Sequence, residues 1–286
     1  NTTGDYNVAV GYAAGQNVST GTNNTLVGGL AGDALTTGSH NIAIGRDALS
    51  TEDTRGYNIA IGSYALQDLN SAADAYNVAI GHTAGVAVST GVQNIIIGGT
   101  AGDALTTGSY NIAIGYNALG TEDSGIGNVA IGRNALGAED VGRGTVAIGM
   151  NSLLQQNSDS DNEITNNVAV GLNTGYSVIT GQGHTLIGAY AGELVRNQLY
   201  VTAIGMEALR YNNLGAHAVG VGFRAGYYTT GSYNTFVGSQ AGQGGITSAP
   251  YSSGQLNTAI GYQALTALTT GGNNVAVGAS AGTAIT

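Results

Sequence analysis

Asn257-Thr258-Ala259-Ile260-Gly261-Tyr262-Gln263-Ala264-Leu265 is one copy of a pattern that can be placed sixteen times along this 286-residue chain. The pattern is Asn, a β-branched residue, Ala, a second β-branched residue, Gly, any two residues, Ala, then Leu or Gly. Its central glycine runs from Gly11, Gly28 and Gly45 to Gly261 and Gly278. Twelve of the fifteen spacings are 16 or 17 residues, and the others are 19, 22 and 23. A short fixed period over a whole chain marks a repeat architecture.

With the Asn as position zero, +1 is Val, Ile or Thr and +3 is Val or Ile in every copy. Such residues suit a pleated, packed surface, and five residues is strand length. Side chains alternate along a strand, so +1 and +3 are expected to share the inward side. Gly at +4 ends the strand at a corner that needs positive φ or close backbone approach. Small residues at +7 and Leu or Gly at +8 suggest a second, shorter inward strand, and a Gly-containing turn closes the coil. The expected fold is all-β: a parallel β-solenoid (β-roll or β-helix) of about sixteen coils of ~17 residues, a rod roughly 75–80 Å long at ~4.8 Å per coil.

Stacking puts like residues in columns. Twelve zero positions are Asn, including Asn7, Asn24, Asn41, Asn58, Asn111, Asn128, Asn257 and Asn274. These are expected to form a structural ladder that hydrogen-bonds from coil to coil. Position +2 is Ala in eleven copies and never polar. With +1 and +3 inward, +2 faces out. Ala43, Ala60, Ala113, Ala130 and Ala259 are therefore the expected self-association contacts, because an apolar stripe of that length needs a cover.

The chain reads as a single continuous domain over 1–286, with sub-blocks 1–76, 77–153 and 154–286. Residues 32–39 return unchanged as 102–109, and Thr51-Glu52-Asp53 returns as Thr121-Glu122-Asp123. Four-coil blocks have been duplicated. The chain opens inside a repeat without Met, and neither end carries a capping segment, so a piece of a longer fibre is expected, with end-to-end assembly open to it.

Composition narrows function. There are 49 Gly, one Pro and no Cys, which excludes a disulfide framework. Seven Arg and no Lys stand against seventeen acids, a net charge of −10. A nucleic-acid partner would need cationic surface, so none is expected. The sequence has no apolar run long enough to span a bilayer, so membrane insertion is not expected. Gly220-Val221-Gly222-Phe223-Arg224-Ala225 fits a dinucleotide fingerprint, but only as one phase of the repeat, without the helix that motif requires. His40, His82, His184 and His217 fall in different coils. No nucleophile–base set stands out, and the reading is no enzyme and no cofactor.

Three turns are long: 63–76, 150–166 and 239–256. Solenoid insertions go to surface loops, so ligand contact is sought there first, at Asp159, Asp161, Glu163 and Tyr251. The first three could offer oxygens to Ca²⁺, though without the glycine and distal Glu of an EF-hand loop. Glu122-Asp123 and Glu139-Asp140 sit in matching turns of adjacent coils. Stacked like charges repel, so either those turns splay or a cation lies between them. Sixteen tyrosines recur beside the Asn or the Gly, as a self-packed ladder or a platform for sugar rings.

The stretch 257–265, with Thr269-Thr270-Gly271 after it, resembles the 17-residue repeats of phage tail-fibre-type proteins. It is also similar to the shorter repeats of trimeric autotransporter adhesin heads. The resemblance implies a left-handed homotrimer outside the cell, on a virion tail fibre or a bacterial surface. It implies attachment to a glycan or protein receptor. The other reading is a structural spacer or filament subunit with no specific ligand.

Overall fold

A computed structural model describes residues 3–139, 141–158, 163–248 and 251–285. Among these there are sixteen strands of three residues each and no helix. The chain forms two compact units, one of residues 1–144 with 159–163 and one of 145–158 with 164–286. The N-terminal unit holds β1 (Val8–Val10), β2 (Thr25–Val27), β3 (Ile42–Ile44), β4 (Ile59–Ile61), β5 (Val78–Ile80), β6 (Ile95–Ile97), β7 (Ile112–Ile114) and β8 (Val129–Ile131). The C-terminal unit holds β9 (Val146–Ile148), β10 (Val168–Val170), β11 (Thr185–Ile187), β12 (Thr202–Ile204), β13 (Val219–Val221), β14 (Thr235–Val237), β15 (Thr258–Ile260) and β16 (Val275–Val277).

Within each unit consecutive strands pair in parallel and in register, as Ile112↔Val129 and Thr258↔Val275. Each unit is thus a parallel β-solenoid, one strand per coil. The expected second strand is absent from the described residues. Positions +5 to +8 form consecutive turns, with +6 and +8 in the left-handed region in coil after coil, as at Asn117 (φ 55°) and Leu119 (φ 51°). Asn tolerates that conformation; Leu adopts it at a cost of about 1–2 kcal/mol, which its burial offsets.

The corner glycine is required twice over. Gly45 has φ 133°, and a Cβ there would lie 2.5 Å from the carbonyl carbon and oxygen of Gly62 in the next coil. No side chain fits that conformation or that space.

The strand is turned inside out relative to the sequence expectation. The +2 residues point into the coil: Ala43, Ala60, Ala113, Ala130 and Ala259 are fully buried. They cannot be the self-association contacts. The +1 and +3 residues point outward and are partly exposed, Ile44, Ile80, Ile95, Ile187 and Ile260 by 36–41%. The reason is thickness. The strand lies directly against the turn segment of its own coil, where a Cβ on Gly282 would come within 3.4 Å of the Ala276 Cβ. Paired β-branched side chains would overfill so flat an interior.

Size compensation fills it instead. Where +2 is large, +8 is Gly: Leu26 with Gly32, Ile96 with Gly102, Leu186 with Gly192, Phe236 with Gly242. A Cβ on Gly32 would sit 2.8 Å from the Leu26 side chain. Where +8 is Leu, as at Leu49, Leu119 and Leu136, +2 is Ala. Position +11 completes the interior: it is apolar at Leu35 and Leu105, a buried Glu at Glu52, Glu122 and Glu139, and another buried polar residue at Gln156, Asn212 and Thr229.

The zero-position side chains run between coils. The Asn41 N–H donates to Asn24 Oδ1 at 2.9 Å, and Asn58, Asn111 and Asn128 repeat that bond to the Asn of the coil before. Each amide nitrogen then reaches a turn carbonyl, as Asn111 Nδ2 to Gly125 at 2.8 Å. In the C-terminal unit Asn257 and Asn274 continue the pattern from Asn234. Buried polar groups are thereby satisfied along the column.

Candidate functional site

Two features stand apart from the regular scaffold. The first is the outward face of the strands. The Val, Ile and Thr residues at +1 and +3 are flanked by the −1 column and, beyond the corner glycine, by the +5 column. The −1 residues hold the left-handed region, as Tyr57 (φ 63°) and Tyr110 (φ 62°) do, which sets their rings beside the strand. His40, Tyr57 and Tyr76 stack at centroid distances of 4.9 and 5.0 Å; His217 stacks on Tyr233 at 5.1 Å and meets Tyr200 at 5.2 Å with the rings tilted by 37°. A shallow groove of 480 Å³ between Tyr76, Val78, Gln93 and Ile95 lies on this face. Although the chain carries seventeen acids, none occupies −1, +1, +3 or +5. The face is free of negative charge and largely apolar at its centre, with polar residues such as Gln93 and Arg46 among its flanking columns, while the turns are acidic.

The second feature is an aromatic and charged cluster in the C-terminal unit. Arg210 Nε meets Glu193 at 2.5 Å, its Nη1 meets Glu207 at 2.6 Å, and Arg224 Nε meets Glu207 at 2.6 Å. The Arg210 guanidinium lies 4.7 Å from the Tyr190 ring centre and 5.6 Å from that of Tyr211, within cation–π range. Its pKa is held above the ordinary value: burial alone lowers it, and the Glu193 hydrogen bond and charge more than offset this. Tyr211, Tyr228 and Tyr251 pack together, with centroids 4.9 to 5.9 Å apart. Burial first, then the hydrogen bond its neutral form shares with Tyr211, raises the Tyr227 phenol. Beside Tyr251 opens a cleft of 240 Å³.

Of the residues singled out by sequence, Tyr251 lies in this cleft wall. Asp159, Asp161 and Asp140 lie outside the described residues. Glu163 is half-buried, and its backbone carbonyl accepts the Arg143 N–H at 3.0 Å. Glu122 and Glu139 do not face a cation between turns; both are fully buried inside their coils. Glu122 accepts the Gly125 N–H at 2.6 Å and the Asn128 amide at 3.2 Å, and Glu139 accepts the Gly142 N–H at 3.0 Å. They cap the turn backbone from within. The Asp123 carboxylate meets the Thr106 hydroxyl of the preceding coil. Among the described residues no three His, Asp or Glu side chains converge as a metal site would need.

His184 takes an Asn place in the ladder. Its Nδ1 accepts the Val201 N–H at 3.1 Å, while its Nε2 is buried without a partner. Burial lowers its pKa to about 4. The Arg–Glu–Tyr cluster does not stand out in the repeat pattern, yet it carries a signal there. Glu193 and Arg210, Glu207 and Arg224, and Arg210 and Tyr227 are each separated by 17 residues, one coil.

No protein-family model matches the chain, and no curated protein matches it either.

Proposed function

We propose that this chain is a non-enzymatic structural segment of an extracellular fibre, a tail fibre or an adhesin head or shaft, that assembles as a homotrimer and mediates attachment to a cell surface. The observation that carries this reading is the outward face: two β-branched columns per unit, rimmed by aromatic rings and without an acid. An exposed apolar surface of that extent marks an interaction site. Seven residues from −1 to +5 span about 23 Å, and eight coils stack to about 38 Å. The strip on one unit is then roughly 900 Å², comparable to the ~800 Å² per partner of a stable protein interface. A second and third copy of the same chain supply the same apolar, acid-free surface in return. Three as the number of copies, left-handed winding and the cell-surface role are supported by the tail-fibre and adhesin resemblance of the 257–271 stretch.

Light scattering on the purified chain tests the assembly. A mass about three times 28.4 kDa is expected. Ile114→Asp with Ile187→Asp, both at outward +3 positions, should reduce it to the monomer mass with an unchanged circular dichroism spectrum. A monomeric wild-type chain would overturn the reading. Retention on intact cells then separates attachment from the second reading, a spacer or filament subunit without a ligand, which the near-constant spacing of β1–β8 favours.

A further inference from the structure

We propose that the cleft beside Tyr251 in the C-terminal unit binds a single neutral sugar ring, so that attachment runs through a glycan; this deepens the attachment reading and rests on it. The apolar lining is Leu214, Ile246 and Tyr251. Leu214 is 72% exposed at the tip of a turn, an unusual place for a leucine with no apolar cover. The polar lining is Asn213, Thr230, Ser253 and Thr270; the Thr230 hydroxyl donates to the Ser252 carbonyl at 3.2 Å, and the Asn213 amide and the Ser253 and Thr270 hydroxyls have no side-chain hydrogen-bond partner among the described residues. An aromatic face flanked by unpartnered neutral donors and acceptors matches a pyranose. Its C–H face lies on the ring and its hydroxyls meet the rim.

Three observations narrow the ligand further. Among the described residues no charged side chain lines the cleft, and Arg210 and Arg224 are already paired with Glu193 and Glu207. A phosphate, sulfate or carboxylate would therefore find no free cation. The volume, 240 Å³, falls below the ~300–1,000 Å³ of drug-sized pockets and suits one ring. The wall is also preorganised. Tyr251 packs on Tyr211 and Tyr228, and Tyr211 is backed by Arg210. Next to Tyr251, the Ser252 N–H donates to Tyr228 at 3.0 Å, and the Gly245 N–H donates to Leu268 at 2.7 Å. A packed aromatic wall lowers the ordering cost of binding.

The test is a saturation-transfer and tyrosine-fluorescence titration of the full chain. The probes are the methyl glycosides of galactose, glucose, mannose and N-acetylglucosamine. Saturable binding of at least one is expected, weakened tenfold or more by Tyr251→Ala. Because that change also removes ring packing, Thr270→Trp serves as a second variant, blocking the mouth from the rim; it should abolish binding with the melting temperature unchanged. Tyr64→Ala, at a half-buried tyrosine in a turn of the N-terminal unit, should leave binding intact. No saturable signal from any glycoside, or binding unmoved by both cleft variants, overturns the proposal. Cell retention that persists in Thr270→Trp with no glycoside binding overturns the cleft and leaves attachment standing. Glycoside binding by a chain that does not adhere to cells supports the cleft and removes the attachment reading.

Discussion

Exchanging the sizes of two residues in one coil should restore most of the stability that either change removes alone. Phe236 at +2 is fully buried and faces Gly242 at +8 of its own coil. Phe236→Ala leaves a cavity and should cost about 3–5 kcal/mol. Gly242→Leu should cost a similar amount. Its Cβ would overlap two Phe236 ring carbons and lie 2.6 Å from a third. Overpacking of that kind costs about 1–3 kcal/mol or more, and a non-glycine side chain at φ +55° about 1–2 kcal/mol. Independent effects would sum to about 5–10 kcal/mol. The double variant instead recreates the Ala-and-Leu coil found at Ala43 and Leu49, and at Ala130 and Leu136. Only the left-handed cost remains, so a loss of about 1–2 kcal/mol is expected, with a coupling of at least ~3 kcal/mol. Repeat stability is local, so amide exchange is the right assay, read at the Gly242 N–H that donates to Ala264 at 2.7 Å. Costs that add to within ~0.5 kcal/mol would show that +2 and +8 do not share one interior space, and the size-compensation account would fail.

His184 predicts an acid-sensitive C-terminal unit. Its folded pKa of about 4 lies below the ordinary 6.5, so the neutral ring is the form that fits the fold. Its contribution is fully present above about pH 6.5 and is lost as pH falls toward 4, a difference of about 3 kcal/mol by linkage. His184→Asn should flatten the stability–pH profile over that range in urea titrations; an unchanged slope would remove the assignment. Glu122→Ala should cost about 2–3 kcal/mol, because it strips the acceptor from the buried Gly125 N–H and from Asn128. Glu122→Gln, which keeps one oxygen, should cost about half as much by the same unfolding measurement, and equal losses would argue against a capping role.

The coil itself was legible because its constraints fall on single residue types. Only Gly fits the Gly45 corner, and Asn41 must both accept from the next coil and donate to a turn. Which strand face lies inside was not legible from alternation alone, since +1, +2 and +3 are all apolar in most coils. The size rule decides it: Leu26 goes with Gly32, and Ala113 goes with Leu119. Two positions that trade volume in this way must share one interior. The turn conformation was hinted at by Asn117, Asn134 and Asn151, which recur where the chain is left-handed, but Leu119 and Leu136 adopt the same region only because burial holds them there. Glu122 and Glu139 read as surface acids because a turn sequence does not reveal whether a carboxylate looks out or in. The long turn between Ser239 and Leu256 and its Tyr251 were legible as a break in the period, but the other lining residues of the cleft, Asn213, Leu214, Thr230 and Thr270, come from neighbouring coils, and nothing in the period marks them.

The register of the strands is indifferent to the length of the turns between them. Ile59 pairs with Val78 across 19 residues, Val146 with Val168 across 22 and Thr235 with Thr258 across 23, each in the same parallel alignment as the 17-residue coils. The ladder thus reads only the short repeated segment and ignores what is spliced between copies. Unequal recombination between repeats that removes or adds a whole coil joins compatible neighbours, and an in-frame insertion in a turn leaves the stack intact. A gene of this kind can change reach in whole-coil steps, and gain new surface chemistry in its loops, without having to solve the folding problem again.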